Sequence, residues 1–116
     1  MGPTFQTKRL DAFKVECQRE EGFASPTVYL AFPRDVEQNE YPWHHSIECC
    51  TLDDNCVVWI ETSHREGEGY ALDLLNGIAQ HEQLSRPLYP NKAISPASVA
   101  LFAKHRKWFE AKDRES

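Results

Sequence analysis

The sequence lacks any long hydrophobic run, and this absence excludes several classes of protein. No segment approaches the roughly 18–20 consecutive apolar residues that a membrane-spanning helix needs. The first ten residues, MGPTFQTKRL, contain no continuous apolar stretch of the kind found in a secretory signal. We therefore expect a soluble, cytoplasmic protein that has no membrane as a partner.

Positive charge is also scarce. Lys and Arg number 13 against 18 Asp and Glu, which gives a formal net charge of −5. A protein dedicated to binding the phosphate backbone of DNA or RNA usually carries a basic surface. The charge balance therefore argues against a nucleic-acid partner, and an acidic surface favours cationic partners instead.

The four cysteines include no Cys-x-x-Cys pair and lack the spacing of a disulfide framework. Reduced thiols in a reducing compartment are therefore expected. A zinc site would have to draw on scattered residues without the two closely spaced ligand pairs that structural zinc sites usually have. The residues available for it are Cys49, Cys50, Cys56, His44, His45 and His64. No metal is predicted, and Cys17 stands apart from this group.

The length and composition fit one ordinary globular domain spanning residues 1–116. Domains most often contain about 100–150 residues, and a chain of this size can bury a hydrophobic core without disulfides or metal. Hydrophobic residues make up 41% of the chain and charged residues 27%, which is close to the globular average. The chain contains no internal repeat, and either a monomer or a homodimer is compatible with the sequence.

Short β-branched and aromatic runs predict strands in the first half of the chain. Thr27–Phe32 is one such run, and His45–Leu52 and Asn55–Glu61 are two more. The last two flank the pair Asp53-Asp54, which predicts an antiparallel hairpin. Residues 7–20 fit the helical and the strand period equally well, so periodicity leaves that segment open.

Helical periodicity begins at Tyr70. Ala71, Leu74, Leu75 and Ile78 follow the i, i+3, i+4, i+7 pattern of an apolar helix face, which lasts until about Gln83. Gly77 interrupts this helix and weakens it by up to roughly 1 kcal/mol relative to Ala unless close packing requires a glycine there.

A short strand is expected around Leu88 and Tyr89, where neighbouring prolines limit its hydrogen bonding. A second helix is predicted for Ser95–Lys112, with Ser95 as N-cap and Pro96 at the first helical position. Its apolar stripe consists of Leu101, Phe102, His105, Trp108 and Phe109. Strands followed by alternating helices predict an α/β (α+β) fold, with helices packed on a mixed, largely antiparallel sheet.

The segment between the last hairpin strand and the first helix combines features of an anion-binding turn. Gly67 and Gly69 allow a sharp turn and a close approach of backbone N–H groups to a ligand. The helix that follows starts without a Ser, Thr, Asp or Asn cap, so its first N–H groups are free to bind an anion. His64 and Arg65 are placed to add charge-assisted contacts. An ordinary strand-to-helix turn is the alternative interpretation of the same residues.

The run SHREGEGYALDLL resembles the coenzyme A pyrophosphate loop of the GNAT superfamily of N-acetyltransferases, whose pattern is [Q/R]-x-x-G-x-[G/A]. Gly67 and Gly69 match its two glycine positions. Further along, SPASVALFAKH is similar to the family's helix motif N-x-x-A-x-x-L-Y-x-K. The positions of that motif are occupied by Ser95, Ser98, Leu101, Phe102 and Lys104. The resemblance covers roughly half of the chain.

The resemblance implies a GNAT-like fold and transfer of an acetyl group from acetyl-coenzyme A to a primary amine, with no metal. The amine belongs to a small molecule or a protein and is expected to be cationic. Glu61 at the end of its strand is the first candidate for general base, with His44 and His45 as second candidates. Tyr89 and, at the helix start, Tyr70 are the candidate proton donors. The residues implied in cofactor binding are Ile60, Thr62, His64, Arg65, Glu66, Gly67, Glu68, Gly69, Tyr70, Ala71, Ser95, Ser98 and Phe102.

Three departures from the family pattern support an alternative function. His64 replaces the usual Gln or Arg, and Glu66 and Glu68 bring negative charge to a loop that would hold a pyrophosphate. Phe102 stands where many relatives carry the tyrosine that protonates the leaving thiolate, and phenylalanine has no proton to donate. A catalytically degenerate GNAT-like binding or interaction module is therefore the second hypothesis. Under the first hypothesis Phe102 is expected to face the cofactor cleft.

Overall fold

The computed structural model describes residues 3–17, 26–35, 45–52, 55–62, 67–91 and 97–115. These residues form six strands and two helices. In chain order they are β1 (Phe5–Gln6), β2 (Leu10–Glu16), β3 (Thr27–Pro33), β4 (Ile47–Thr51), β5 (Cys56–Glu61), α1 (Tyr70–His81), β6 (Tyr89–Pro90) and α2 (Ala97–Glu115).

The six strands make one sheet in which spatial order follows chain order, from β1 at one edge to β6 at the other. All neighbouring pairs are antiparallel except β5 and β6, which are parallel and joined through α1. The predicted mixed, largely antiparallel sheet with packed helices is therefore confirmed. The predicted hairpin is confirmed as well, since β4 and β5 pair antiparallel. Asp53 and Asp54 lie outside the described residues.

Within the ambiguous segment of residues 7–20, residues 7–17 are described, and Leu10–Glu16 among them form strand β2. Leu10 and Ala12 on β2 are fully buried, whereas Val15 is about half exposed, and burial alternates along the first part of the strand. This alternation arises because successive side chains of a strand point to opposite faces of the sheet. Phe13 on the other face makes an edge-to-face contact with Phe32 of β3, with ring centroids 6.1 Å apart.

Helix α1 packs across β1, β2 and β4 through its apolar face. Leu74, Leu75 and Ile78 are buried there, as the sequence pattern predicts. The helix ends at His81, two residues before the predicted end. Gln83 adopts a left-handed backbone with φ 53, and Leu84 N–H donates to the carbonyl of Ala79 at 3.0 Å. This arrangement is the Schellman motif that closes many helices.

Helix α2 packs on α1 and β6. It begins at Ala97 and continues to Glu115, three residues beyond the predicted end. Ser95 and Pro96, the predicted start, lie outside the described residues. In the part of the chain that the structure covers, no helix combines the length and hydrophobicity of a membrane span.

Gly77 is required by close packing between α1 and the first strand. A Cβ atom at this position would overlap Thr7 Cγ2 and would come within 3.1 Å of Phe5 Cε2. Thr7 cannot turn away freely, because its Oγ1 donates to the Asp73 carboxylate and accepts the Leu10 N–H at 2.9 Å. Gly77 is therefore explained by packing: β1 and the turn that follows it lie too close to α1 for a residue with a side chain at this position.

Gly77→Ala is expected to destabilise the protein by about 1–2 kcal/mol. Alanine favours a helix by up to roughly 1 kcal/mol over glycine, but forcing a methyl group into a packed contact costs about 1–3 kcal/mol. Urea denaturation measures the difference, and Gln80→Ala on the exposed side of α1 is the control. An increase in stability on Gly77→Ala would contradict the packing argument.

Candidate functional site

The connection from β5 through α1 leads to a short parallel ladder between β5 and β6. The parallel ladder consists of two residue pairs and ends at Val57 opposite Pro90. Asn91 N–H then donates to the Val57 carbonyl at 2.9 Å. Beyond this point β5 continues for four residues to Glu61 without further pairing to β6. Among the described residues, the pairing of the two strands is therefore confined to the start of β5.

A register shift interrupts the pairing of β4 and β5. Thr51 of β4 lies opposite Val57, whereas the preceding residue, Cys50, lies opposite Trp59, so β5 carries one extra residue. Such an irregularity bends the strand and increases its twist, and it often occurs beside functional sites. It lies next to Val57, the last residue of β5 that is described as paired with β6.

The turn that enters α1 has the geometry the sequence predicts. Gly67 and Gly69 adopt left-handed φ angles of 83 and 84, which side chains other than glycine rarely tolerate. Gly69 is the N-cap of α1 and provides no side-chain hydrogen bond. The space around Gly67 is open, since a Cβ there would meet no atom within 4 Å. Gly69 itself therefore contributes no side-chain acceptor to the first N–H groups of α1.

Arg9 is the cation that the structure adds to this turn. It follows β1 in the chain, yet its Nη1 donates to the Glu68 carbonyl at 2.9 Å. Its guanidinium also stacks over the ring of Tyr70, 3.9 Å from the centroid. The sequence gives no signal for this contact, because 59 residues separate Arg9 from Glu68. The guanidinium brings positive charge to the N-terminal end of α1, where anions are already favoured.

Tyr70 supports the turn by packing its ring against Arg9. Its side chain is buried, and its hydroxyl donates to Asp35 Oδ2 at 3.2 Å. The hydroxyl thus points to the carboxylate of Asp35, which lies just after β3. The ring is the surface on which the guanidinium of Arg9 stacks. We assign Tyr70 a positioning role.

The other implied cofactor residues occupy different environments. Ile60 is half-buried and packs against the core, and Thr62 and Ala71 are half-buried, while Glu68 is exposed. Ser98 is half-buried near the start of α2. These residues therefore belong to the end of β5, the glycine turn and the starts of the two helices. His64, Arg65, Glu66 and Ser95 lie outside the described residues.

The candidate general base Glu61 is exposed at the open end of β5. Glu48 of β4 lies directly opposite it in the sheet register. Directly opposed residues of antiparallel strands share one face, so the two carboxylates form a negative pair there. Tyr89, the candidate proton donor, is 46% exposed but pairs with Cys56 at the start of β5, the end away from Glu61. The structure does not bring Glu61 and Tyr89 together. Sequence reasoning missed Glu48.

Phe102 does not face an open cleft, which corrects the expectation from the resemblance. Its side chain is 4% exposed and belongs to the hydrophobic core. The physical reason is that α2 packs its apolar stripe against α1 and β6, so that Phe102 is enclosed between them and the sheet. A residue at this position is part of the packing that holds α2 in place.

His105, also on the apolar stripe of α2, is fully buried and makes polar contacts near β6. Its Nε2 accepts the backbone N–H of Leu88 at 3.0 Å, which places the proton on Nδ1. Nδ1 lies 2.8 Å from Asn76 Oδ1 of α1 and donates to it. Burial lowers the pKa of His105 to about 4, so the ring is neutral at physiological pH. It thereby joins α2, α1 and the segment that leads into β6.

The cysteines are free thiols in the structure, and Cys49 and Cys50 are buried. Burial raises the pKa of Cys49, so its thiol stays protonated at neutral pH. His45 lies at the start of β4 and is half-buried, and His44 is outside the described residues. Among the side chains that the structure describes, no group of three or more His, Cys, Asp and Glu is placed to hold a metal ion.

Comparison of the chain with protein-family models, with curated proteins and with solved structures gives no match. The geometry of the chain itself therefore carries the functional argument.

Proposed function

We propose that the protein is an acyl-coenzyme A-dependent N-acetyltransferase that acts on a primary amine. The observation that carries the proposal is the unit formed by the end of β5, the turn with Gly67 and Gly69, and the start of α1, with Arg9 beside it. This combination would hold a pyrophosphate at the N-terminal end of α1. The resemblance of the sequence to the GNAT loop supports the same conclusion.

The surroundings of the turn support the proposal that it binds coenzyme A. A side chain at Gly67 would stand in otherwise open space in front of the turn, which is the space that a pyrophosphate would take. Arg9 is placed beside that space and offers N–H groups beyond the one that binds Glu68. Coenzyme A supplies the acyl thioester. The turn and Arg9 would hold its phosphates, and Ile60–Thr62 would guide the pantetheine arm.

The acceptor amine must lose a proton to attack, and Glu61 is the carboxylate that we propose removes it. The pair of Glu48 and Glu61 would also attract a cationic amine to the open end of β5. Positioning of the two substrates is expected to be the larger part of the rate enhancement.

Thermal unfolding with and without acetyl-coenzyme A tests the proposal, together with release of free coenzyme A thiol in the presence of simple primary amines. A ligand at a hundred times its Kd stabilises a protein by about 2.7 kcal/mol, which is a shift of several degrees for a domain of this size. We expect both stabilisation and amine-dependent thiol release. Absence of both would refute the proposal.

Arg9→Gln is expected to weaken coenzyme A binding by roughly tenfold, because a charge-assisted hydrogen bond contributes about 1.5–3 kcal/mol. The loss should be greatest at low salt, since salt screens an exposed cation. Isothermal titration at two ionic strengths measures both effects. Lys8→Gln is the matched control, because Lys8 is an exposed cation next to Arg9 in the chain. Equal losses in the two variants would mean that Arg9 makes no specific contact.

The burial of Phe102 favours a second candidate function, which is a GNAT-like module that binds an acyl-coenzyme A or a related ligand without turnover. A phenyl ring in the core supplies no proton to a leaving thiolate. This candidate predicts stabilisation by acetyl-coenzyme A without amine-dependent thiol release.

Phe102→Tyr is expected to destabilise the free protein by about 1–3 kcal/mol, since a hydroxyl buried without a partner costs that amount. Urea denaturation of the free protein and of the protein with coenzyme A measures the cost in each state. Phe109→Tyr on the half-buried part of α2 is the control. A Phe102→Tyr protein as stable as the parent would mean that position 102 borders an open cleft after all.

A further inference from the structure

A cavity of about 470 Å³ lies between β1, the turn that follows β1, α1 and α2. This volume is within the range of about 300–1,000 Å³ that is usual for small-molecule sites. The turn with Gly67 and Gly69 is not part of its described lining, so the cavity is a different site from the one proposed for coenzyme A. Its lining includes the polar side chains of Lys8, Asp73 and Asn76 and the aromatic rings of Phe5, His81 and Trp108.

The carboxylate of Asp73 has a fixed position in this cavity. Its Oδ2 accepts the hydroxyl of Thr7, and the oxygen of that hydroxyl accepts the Leu10 N–H at 2.9 Å. The bond to Thr7 uses one of the two carboxylate oxygens, and an ionised carboxylate can accept several hydrogen bonds. Asp73 can therefore accept from the N–H groups of a ligand without giving up its bond to Thr7.

Asn76 lies three residues further along α1, on the same side of the helix as Asp73. Its orientation is set by His105, whose Nδ1 donates to Asn76 Oδ1 at 2.8 Å. With Oδ1 engaged in this bond, Nδ2 and its two N–H groups are what Asn76 can offer to the cavity. Nδ2 is suited to the oxygens of a carboxylate, because it only donates.

Charges of both signs line the cavity. Lys8 is an exposed cation that directly follows Thr7, the residue bonded to Asp73. His81 Nε2 lies 3.8 Å from Glu82 Oε1, so a proton on that ring is balanced by Glu82, which is not part of the described lining. Lys8 and Asp73 thus form one positive and one negative group, and a ligand that carries both charges is complementary to them.

Aromatic rings provide the apolar part of the cavity. Phe5 and His81 stack with their ring centroids 4.7 Å apart. Trp108 is half-buried and stacks with His105, with centroids 6.0 Å apart, which holds its ring in place on α2. Such rings favour another aromatic group, because aromatic pairs are stabilised beyond the area that they bury.

We propose that this cavity binds a zwitterionic α-amino acid with an aromatic side chain. The ammonium would donate to Asp73, the carboxylate would accept from Asn76 Nδ2 and face Lys8, and the ring would lie against Trp108. The proposal does not depend on acyl transfer, because it concerns a different cavity and a binding step alone.

Titration of the full isotope-labelled chain with L-phenylalanine, followed by NMR of the backbone amides and the Trp108 indole N–H, tests the proposal. We expect saturable shifts at residues that line the cavity. Binding of 2-phenylethylamine, which lacks the carboxylate, and of 3-phenylpropionate, which lacks the ammonium, should be at least roughly tenfold weaker. Glycine, which lacks the ring, should be weaker by a similar factor. Equal binding of L-phenylalanine and any of these probes, or shifts that do not saturate, would overturn the proposal.

Asp73→Asn is expected to weaken L-phenylalanine binding by at least roughly tenfold, because it removes the negative charge but keeps an oxygen for the Thr7 hydroxyl. It should not weaken binding of 3-phenylpropionate, which has no ammonium. Glu110→Gln, on the exposed face of α2, is the control and should bind L-phenylalanine like the parent protein. Unchanged L-phenylalanine affinity in Asp73→Asn, or an equal loss for 3-phenylpropionate, would overturn the proposal. If that variant does not fold, the comparison of the four probes on the parent chain decides.

Discussion

Replacing His105 with leucine is expected to destabilise the protein by about 2–4 kcal/mol. Leucine fills much of the space but offers no hydrogen bond, so the buried Leu88 N–H and the Asn76 Oδ1 both lose their partner. Each buried group without a partner costs about 1–3 kcal/mol. Asn76 is only half-buried and regains part of its loss from water. Urea denaturation at pH 7.5 gives the free energy of unfolding of both proteins.

Arg106→Ala is the control for this change, because Arg106 is the exposed neighbour of His105 on α2. A surface change of this kind usually alters stability by less than about 0.5 kcal/mol. A His105→Leu protein as stable as the control variant would show that the ring is not needed to hold β6 against the helices.

The same histidine should make stability depend on pH. Its pKa is lowered by burial from 6.5 to about 4 in the folded protein. The unfolded chain therefore takes up a proton at a higher pH than the folded one, so the contribution of His105 is complete above about pH 6.5. It falls as the pH decreases to about 4, by about 2–3 kcal/mol in total. The stability difference between the parent and His105→Leu, measured across this range, isolates the contribution of this side chain.

Gly67→Asn and Gly69→Asn are expected to weaken coenzyme A binding by roughly 10- to 100-fold while leaving the fold in place. Asparagine tolerates the left-handed backbone better than most residues, so the turn itself is largely preserved. At position 67, however, its side chain would occupy the open space in front of the turn that the pyrophosphate needs. At position 69 its Cβ atom would lie 3.4 Å from Arg9 Nη1, so the side chain would disturb the cation proposed to bind the phosphates. Loss of one or two charge-assisted hydrogen bonds accounts for the expected range. Isothermal titration measures the affinity.

Gln83→Asn is the matched control, since Gln83 also has a left-handed backbone but lies at the other end of α1. It should bind coenzyme A like the parent chain. Circular dichroism of all three variants verifies that they are folded. Unchanged affinity in both glycine variants would remove the turn from the proposed site.

The elements with local signals could be predicted from the sequence. The hairpin of β4 and β5 follows from two β-branched runs around a turn, and α1 follows from the spacing of Leu74, Leu75 and Ile78. The lack of a capping side chain at the N-cap of α1 could also be predicted, because it depends on the identity of a few adjacent residues. Residues 7–20 were ambiguous because their apolar residues, considered without the rest of the chain, fit both the helical and the strand period. Only the neighbouring strand β3, which pairs with β2 along its length, decides between them.

Features that depend on distant contacts could not be predicted. Arg9 reaches the glycine turn because the β1–β2 turn is folded against the start of α1, and no local pattern records this. Phe102 occupies a position that the resemblance assigns to a cleft, but the packing of α2 against α1 places it in the core. His105 was recognisable as part of an apolar stripe, whereas its two hydrogen-bond partners come from α1 and from the residue before β6.

Amide hydrogen exchange of the protein with and without coenzyme A tests the proposed function most directly, because it reports on the backbone N–H groups that are proposed to hold the pyrophosphate. We expect slower exchange at the amides of residues 67–71 when coenzyme A is present, and little change at the opposite end of α1 around Glu82 and Leu84. Unchanged exchange at residues 67–71 under conditions that saturate the protein with coenzyme A would contradict the proposed site.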